Sequence, residues 1–174
     1  MKKSLIVSCL AFFVIALCSC QSNEPERLAS ATGKPISDNK TVEEIRAVLQ
    51  QHDKALNEKN LNGIMEVFVP GPNTVLLGTS NAERFVGDES IRNAYTEIFK
   101  DYDTNTVDVK CDWKTGEQLG NMAWIAATCK EKDSMNNKPR EFGLNVTGVM
   151  IKHDGKWRFS MLHASNPTAP PPPQ

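Results

Sequence analysis

The stretch from Gly148 to Ser165, GVMIKHDGKWRFSMLHAS, leaves this chain few alternatives. Asp154-Gly155 lies between two apolar runs, and glycine tolerates the positive φ that a tight hairpin turn requires. The spacing predicts two strands, 149–152 and 157–164, joined through His153-Asp154-Gly155-Lys156. Strand side chains alternate, so Trp157, Phe159, Met161, His163 and Ser165 are expected on one face, and Arg158, Ser160, Leu162 and Ala164 on the other. His163 and Ser165 then share a face with three large apolar side chains. That face is either plain core or an apolar pocket with a polar floor.

The two-residue period extends upstream to residue 104 and predicts further strands at 104–113, 122–131 and 141–152, with connections at 115–121 and 132–139. Before residue 104 the period is helical. Thr41-Val42-Glu43-Glu44 reads as a capping box, and Val42, Ile45, Leu49, His52 and Leu56 follow on one stripe to about Asn57. Asp53 borders that stripe. A shorter helix from Asn60 presents Leu61, Ile64, Met65 and Phe68, and Pro70-Gly71-Pro72-Asn73 ends it. A short strand at 74–77 and a loop at 78–87 lead to a third helix, capped by Asp88, with Ile91, Ala94, Tyr95, Ile98 and Phe99 on its face. Three helices followed by a meander of long strands give an α+β fold: an antiparallel sheet curled over a helical layer, enclosing a cavity if the curl is wide.

The termini are read separately. Lys2 and Lys3 precede an apolar run at 5–17, shorter than the roughly 20 residues that span a bilayer as a helix but suited to a signal peptide. Leu17-Cys18-Ser19-Cys20 resembles the bacterial lipobox, so residues 1–19 are expected to be removed and Cys20 to carry lipid. The alternatives are an ordinary secretory signal or an uncleaved anchor. Residues 20–40 are polar, with Pro25, Gly33 and Pro35, and read as a flexible tether holding the domain on the order of 25 Å from the membrane. The domain is placed at 41–165, and the proline-rich tail at 166–174 is expected to be extended. Cleavage leaves Cys111 and Cys129 besides Cys20; the strand register sets each nearer to other residues than to its fellow, so they are expected not to pair.

Several functions are disfavoured by what the chain carries. A formal net charge of −1 gives nothing to attract nucleic acid. No HxH, HExxH or CxxC motif occurs, His153 sits in a turn, and no metal or cofactor is expected. There is no glycine-rich phosphate loop and no G-x-S-x-G elbow.

The order of elements, together with Ala55 to Phe68 (ALNEKNLNGIMEVF), Gly87 followed by Ile91 and Arg92, Trp124 after a Gly-Asn turn, and Gly155-Lys156-Trp157 with His163-x-Ser165, resembles the SnoaL-like branch of the nuclear transport factor 2-like superfamily. The resemblance implies a cone of strongly bent sheet closed by the three N-terminal helices, of cystatin-like shape and often dimeric through its outer face. Ketosteroid isomerase belongs to that superfamily. Its helix-one tyrosine falls at His52, its general-base aspartate at about Leu77 and its second oxyanion acid at about Thr147. A leucine takes no proton, so that mechanism does not transfer. Other members place His and Asp differently in the same cone, and the acid-base set implied here is His52, Asp53 and His163, with Tyr95 near them.

Each residue also has a plainer reading: His52 packed at the core edge, His163 bonded to Ser165 or a loop, and Trp124, Phe142, Trp157, Phe159 and Met161 as core. Tyr95, Trp124, Asn145, Thr147 and Met161 are the expected cavity contacts of a small apolar ligand. The strand at 122–131 is apolar on both faces, which implies a partner subunit on one of them and hence a homodimer. The sequence thus points to a lipid-anchored envelope domain that binds a small molecule or serves as an interaction module. The competing reading is an acid-base enzyme performing isomerisation, dehydration or cyclisation. Gln21 after Cys20 provides no aspartate-type inner-membrane retention signal, which favours the outer membrane.

Overall fold

A computed structural model describes residues 34–35, 39–80 and 82–167; the expected signal peptide, Cys20 and residues 168–174 of the tail lie outside the described residues. The described residues all belong to one of the chain's two units, Thr32–Gln174. In chain order the elements are β1 (Lys34–Pro35), α1 (Asn39–Asn57), α2 (Leu61–Val67), β2 (Val75–Leu77), β3 (Arg84–Val86), α3 (Asp88–Asp101), β4 (Asp108–Leu119), β5 (Met122–Met135), β6 (Lys138–His153) and β7 (Lys156–Ser165).

The strands form one sheet in the order β1-β4-β5-β6-β7-β2-β3. It is mixed rather than antiparallel, because β2 runs parallel to β7, pairing Leu76 with Leu162. The sheet is open, with β1 and β3 at its edges. β1 lies within the stretch read as tether. Its Pro35 is tolerated because an edge strand leaves one side of its backbone unpaired. β3 falls inside the expected 78–87 loop and forms a hairpin with β2.

The long strands exceed their expected lengths because the turns between them are tight. Gly120 has positive φ between β4 and β5, and Asn136 and Asn137 both do between β5 and β6. Asparagine visits this region more readily than most residues, so residues expected as loop remain in the ladder. Asp154 and Gly155 also have positive φ, as the hairpin signal requires.

Helix ends follow local chemistry with two corrections. Asn60 caps α2 through its side-chain oxygen, which accepts the Gly63 N–H at 2.9 Å. At α3 the cap position belongs to Gly87, at φ 83°, where a Cβ would crowd the Pro72 backbone; the Asp88 carboxylate instead accepts the Gly71 N–H. At α1 the helix begins at Asn39 rather than Thr41, and Glu44 Oε2 accepts Trp157 Nε1 at 3.0 Å and Lys152 Nζ at 3.3 Å. The carboxylate expected in a capping box therefore ties α1 to the β6–β7 hairpin.

The core joins Ile45, Val48 and Ala55 of α1, Ile64 and Val67 of α2, and Ile91 and Ala94 of α3 to Ala123, Met150, Trp157, Phe159 and Leu162 of the sheet. Gly148 makes room for the Phe159 ring, since a Cβ there would lie 2.9 Å from its Cε1.

Two β-bulges decide which side chains face this core. On β7, Phe159 opposes Met150 while Met161 opposes Val149, leaving Ser160 as the extra residue. An inserted residue reverses the alternation beyond it. Trp157 and Phe159 therefore point inward, and so does Leu162, while Met161, His163 and Ser165 turn outward. The expected five-residue face does not exist. On β4, Asp112 is the extra residue between Cys111, opposite Cys129, and Trp113, opposite Thr128. Were the ladder unshifted, Cys111 would face Lys130. With the shift of register the two cysteines are direct cross-strand neighbours and form a disulfide, which corrects the expectation that they do not pair. Replacing both by alanine is expected to lower stability by about 3 kcal/mol, the usual effect of closing a loop of this size. Equilibrium urea unfolding of the oxidised protein and the double variant measures it.

Candidate functional site

Between the helices and the inner face of the sheet lies a cavity of about 1380 Å³. Its walls are largely apolar, with Leu49 and Leu56 from α1, Ile98 from α3, and Ile125, Phe142 and Leu144 from the sheet. Among its polar lining residues are His52, Asp53, Tyr95, Tyr102, Glu131 and Arg140.

Three of the sequence-expected residues meet there. The 3.6-residue period of α1 and α3 turns His52 and Tyr95 toward each other, with His52 Nε2 2.8 Å from the Tyr95 hydroxyl. His52 Nδ1 lies 3.2 Å from Asp53 Oδ1. An Nδ1–H tautomer donating to Asp53 leaves Nε2 to accept the Tyr95 O–H. The Tyr95 ring is buried against Phe68 and Phe99. Burial first, and then the Asp53 charge, push its phenol well above the ordinary range, so it remains a neutral donor.

The other five do not line the cavity. His163 lies on the outer face with its Nδ1 3.4 Å from Thr147 Oγ1. Asn145 and Thr147 share that face, Asn145 accepting the Thr128 hydroxyl at 3.3 Å. Met161 is turned there by the Ser160 bulge. Trp124 is 41% exposed, its indole N–H directed at Glu117 Oε2. The bulge explains His163 and Met161. For Trp124, Asn145 and Thr147 the cause is plain alternation: Ala123, Ile125, Leu144 and Val146 take the inner positions. Leu77, where the isomerase base would stand, lines the cavity and supplies no carboxylate.

A second polar group was not anticipated. Along β5 the inward positions run Ala123, Ile125, Ala127, Cys129 and then Glu131 and Asp133, both buried. Arg140, facing them from β6, donates through Nε to Asp133 Oδ1 at 2.7 Å and through Nη2 to Oδ2. Its guanidinium lies 5.3 Å over both the Tyr102 and Phe142 rings. Glu131 is only 7% exposed. Burial first, then Asp133 and Asp53, push its carboxyl up to about 7, against the opposing pull of Arg140. The signal for this group was the continuation of the inward period through Cys129-x-Glu131-x-Asp133, beyond the expected end of the strand. Among the described residues no cluster suited to a metal ion occurs. Chemically, the cavity offers a neutral phenol, an imidazole held by a carboxylate, and a buried carboxyl that exchanges its proton near neutral pH.

The pattern of the SnoaL-like domain family matches residues 45–169. No curated protein matches. Similar solved structures include a nuclear transport factor 2-like superfamily protein from Salmonella enterica serovar Typhimurium, 19% identical, with a TM-score of 0.65, covering 75% of this chain and 94% of that one. A Caulobacter vibrioides protein with a cystatin-like fold is 16% identical at TM-score 0.59, covering 74% and 91%. A ketosteroid isomerase-like protein from Erwinia carotovora atroseptica is 13% identical at TM-score 0.62, covering 75% and 99%. At these identities the likeness is one of fold.

Proposed function

This chain belongs to the SnoaL-like domain family, and from that premise we propose that it is a lipid-anchored cell-envelope protein whose cone-shaped domain holds a small, largely apolar molecule. The observation that carries the reading is the cavity of about 1380 Å³ with apolar walls and a few convergent polar groups, the usual form of a small-molecule site. Lipidation at Cys20, and residence at the outer membrane rather than the inner, rest on Leu17-x-x-Cys20 and on Gln21.

The outer sheet face supports a homodimer. Trp113, Leu119, Met122 and Trp124 are exposed there on two neighbouring strands, and exposed large apolar groups in one patch mark an interaction surface. A second copy of this chain is the proposed occupant.

Mass spectrometry of the protein purified from its own envelope tests these statements together. The expected result is a lipid mass on the Cys20 peptide and, under native conditions, a dimer carrying a constant extra mass. Trp124→Glu is expected to give monomers with the extra mass retained. An unmodified Cys20, a wild-type monomer, or an empty protein would each remove the corresponding statement.

The enzymatic reading, acid-base chemistry of the isomerase, dehydratase or cyclase kind, is favoured by one observation: Glu131, buried on β5 with its carboxyl pushed up to about 7, lines the same apolar cavity as Asp53. The chemistry would then rest on Glu131, Asp53, His52 and Tyr95, with His163 outside it. A candidate substrate turned over equally well by Glu131→Gln would exclude this arrangement.

A further inference from the structure

The outer face of the sheet presents an exposed indole near the point where the chain leaves the fold. Cross-strand partners point to one side of a sheet, so Trp113, Thr128, Asn145 and Ser165 form one row across β4, β5, β6 and β7 on that face. Trp113 is 54% exposed. Two residues beyond Ser165, Pro167 stands level with Gly143 and leans its ring over it: a Cβ at Gly143 would lie 3.2 Å from Pro167 Cγ. Gly143 alternates with Leu144, which is buried on the inner side, so this contact is on the outer face. Gly143 has no positive φ, so its backbone does not ask for glycine; the close approach of Pro167 does. Past Pro167 come residues 168–174, Thr-Ala-Pro-Pro-Pro-Pro-Gln, outside the described residues.

We propose that this proline-rich segment folds back across the outer face of its own chain and packs the prolines at 170–173 on Trp113. Neighbouring strands lie about 4.8 Å apart and rise about 3.4 Å per residue, which puts Trp113, three strands over and two residues along, about 16 Å from Pro167. At about 3.1 Å per residue in the polyproline II form, the four prolines span about 9 to 19 Å from Pro167. Trp124, two strands over and six residues along, is about 23 Å away and past the last of them. Leu119, Met122 and Trp124 therefore stay open to the second copy. Proline has no N–H, so the run covers the face without stranding a donor, and its rings pack on an indole as proline-rich segments do in aromatic-lined grooves. Four consecutive prolines are already close to their bound form, so docking orders little that was free. The Trp113 N–H can donate to a carbonyl of the segment, since polyproline II makes no internal hydrogen bonds. Nothing in this seat depends on the cavity or its ligand.

Acrylamide quenching of tryptophan fluorescence tests this on the full-length protein in nanodiscs. The background is Trp124→Glu, which removes the other exposed indole and, with it, the proposed dimer contact; Trp157 is buried, so quenching reports Trp113. Two further variants are compared in that background. Gly143→Val crowds Pro167 off its seat, and the joint change Pro170→Gly, Pro171→Gly, Pro172→Gly and Pro173→Gly removes the rings while leaving the domain untouched. Each is expected to raise the quenching constant about twofold in a protein that still melts cooperatively. Equal constants in all three proteins would leave Trp113 uncovered by the tail and overturn the proposal. Protection that falls on dilution would overturn it too, because the tail would then cover a neighbouring copy rather than its own chain.

Discussion

Arg140→Met is expected to destabilise the domain by about 3 kcal/mol at pH 8. The Asp133 side chain is fully buried, and Arg140 grips it through two N–H groups. Removing the guanidinium leaves a charge in a dry site, where desolvation costs more than any contact the methionine can return. The double variant Asp133→Leu with Arg140→Met should regain most of the loss, because it removes the stranded charge together with its partner. Urea unfolding of the wild type and both variants at pH 8 measures this. A single variant within 1 kcal/mol of wild type at pH 8 would mean that Asp133 is not held by Arg140.

Glu131→Gln should do the reverse. The native carboxyl is raised from the ordinary glutamate value to about 7, so the folded state binds its proton more tightly than the unfolded chain does. The stabilisation linked to that proton is full below the unfolded value and is lost as pH rises through about 7. By pH 8 the wild type has lost on the order of 3 kcal/mol relative to pH 4 from this one group. Glutamine cannot ionise. The variant should therefore be more stable than wild type at pH 8 by roughly 2–3 kcal/mol and close to it at pH 5. Parallel stability curves for the two proteins across this range would place Glu131 in contact with solvent, and the buried polar cluster would lose its central member.

How far the sequence carries can be traced through particular residues. Asp154-Gly155 identified its hairpin because a local conformational demand was met by a local residue type. The helices were legible from their apolar stripes, and His52, Asp53 and Tyr95 followed from them, since helical spacing fixes a face over several turns. Ser160 and Asp112 were opaque. A bulge is set by how two strands fit, and no residue at either position announces one. Yet these two insertions moved His163 and Met161 out of the cavity side and brought Cys111 opposite Cys129. The Glu131–Asp133–Arg140 cluster was missed for a different reason. Charged residues late in a strand read as solvated edge, and only the β6 partner shows that Arg140 compensates Asp133 inside.

The central claim, that the space between helices and sheet receives an apolar molecule, is most directly tested with the uncharged dye N-phenyl-1-naphthylamine. Its fluorescence is followed on wild type and on two variants of β5, Ala127→Trp, which fills the cavity, and Trp124→Ala, which alters only the outer face. The account predicts saturable binding to wild type and to Trp124→Ala, and none to an Ala127→Trp protein that still melts cooperatively. Binding that survives in Ala127→Trp and disappears in Trp124→Ala would place the apolar site on the outer face and contradict it.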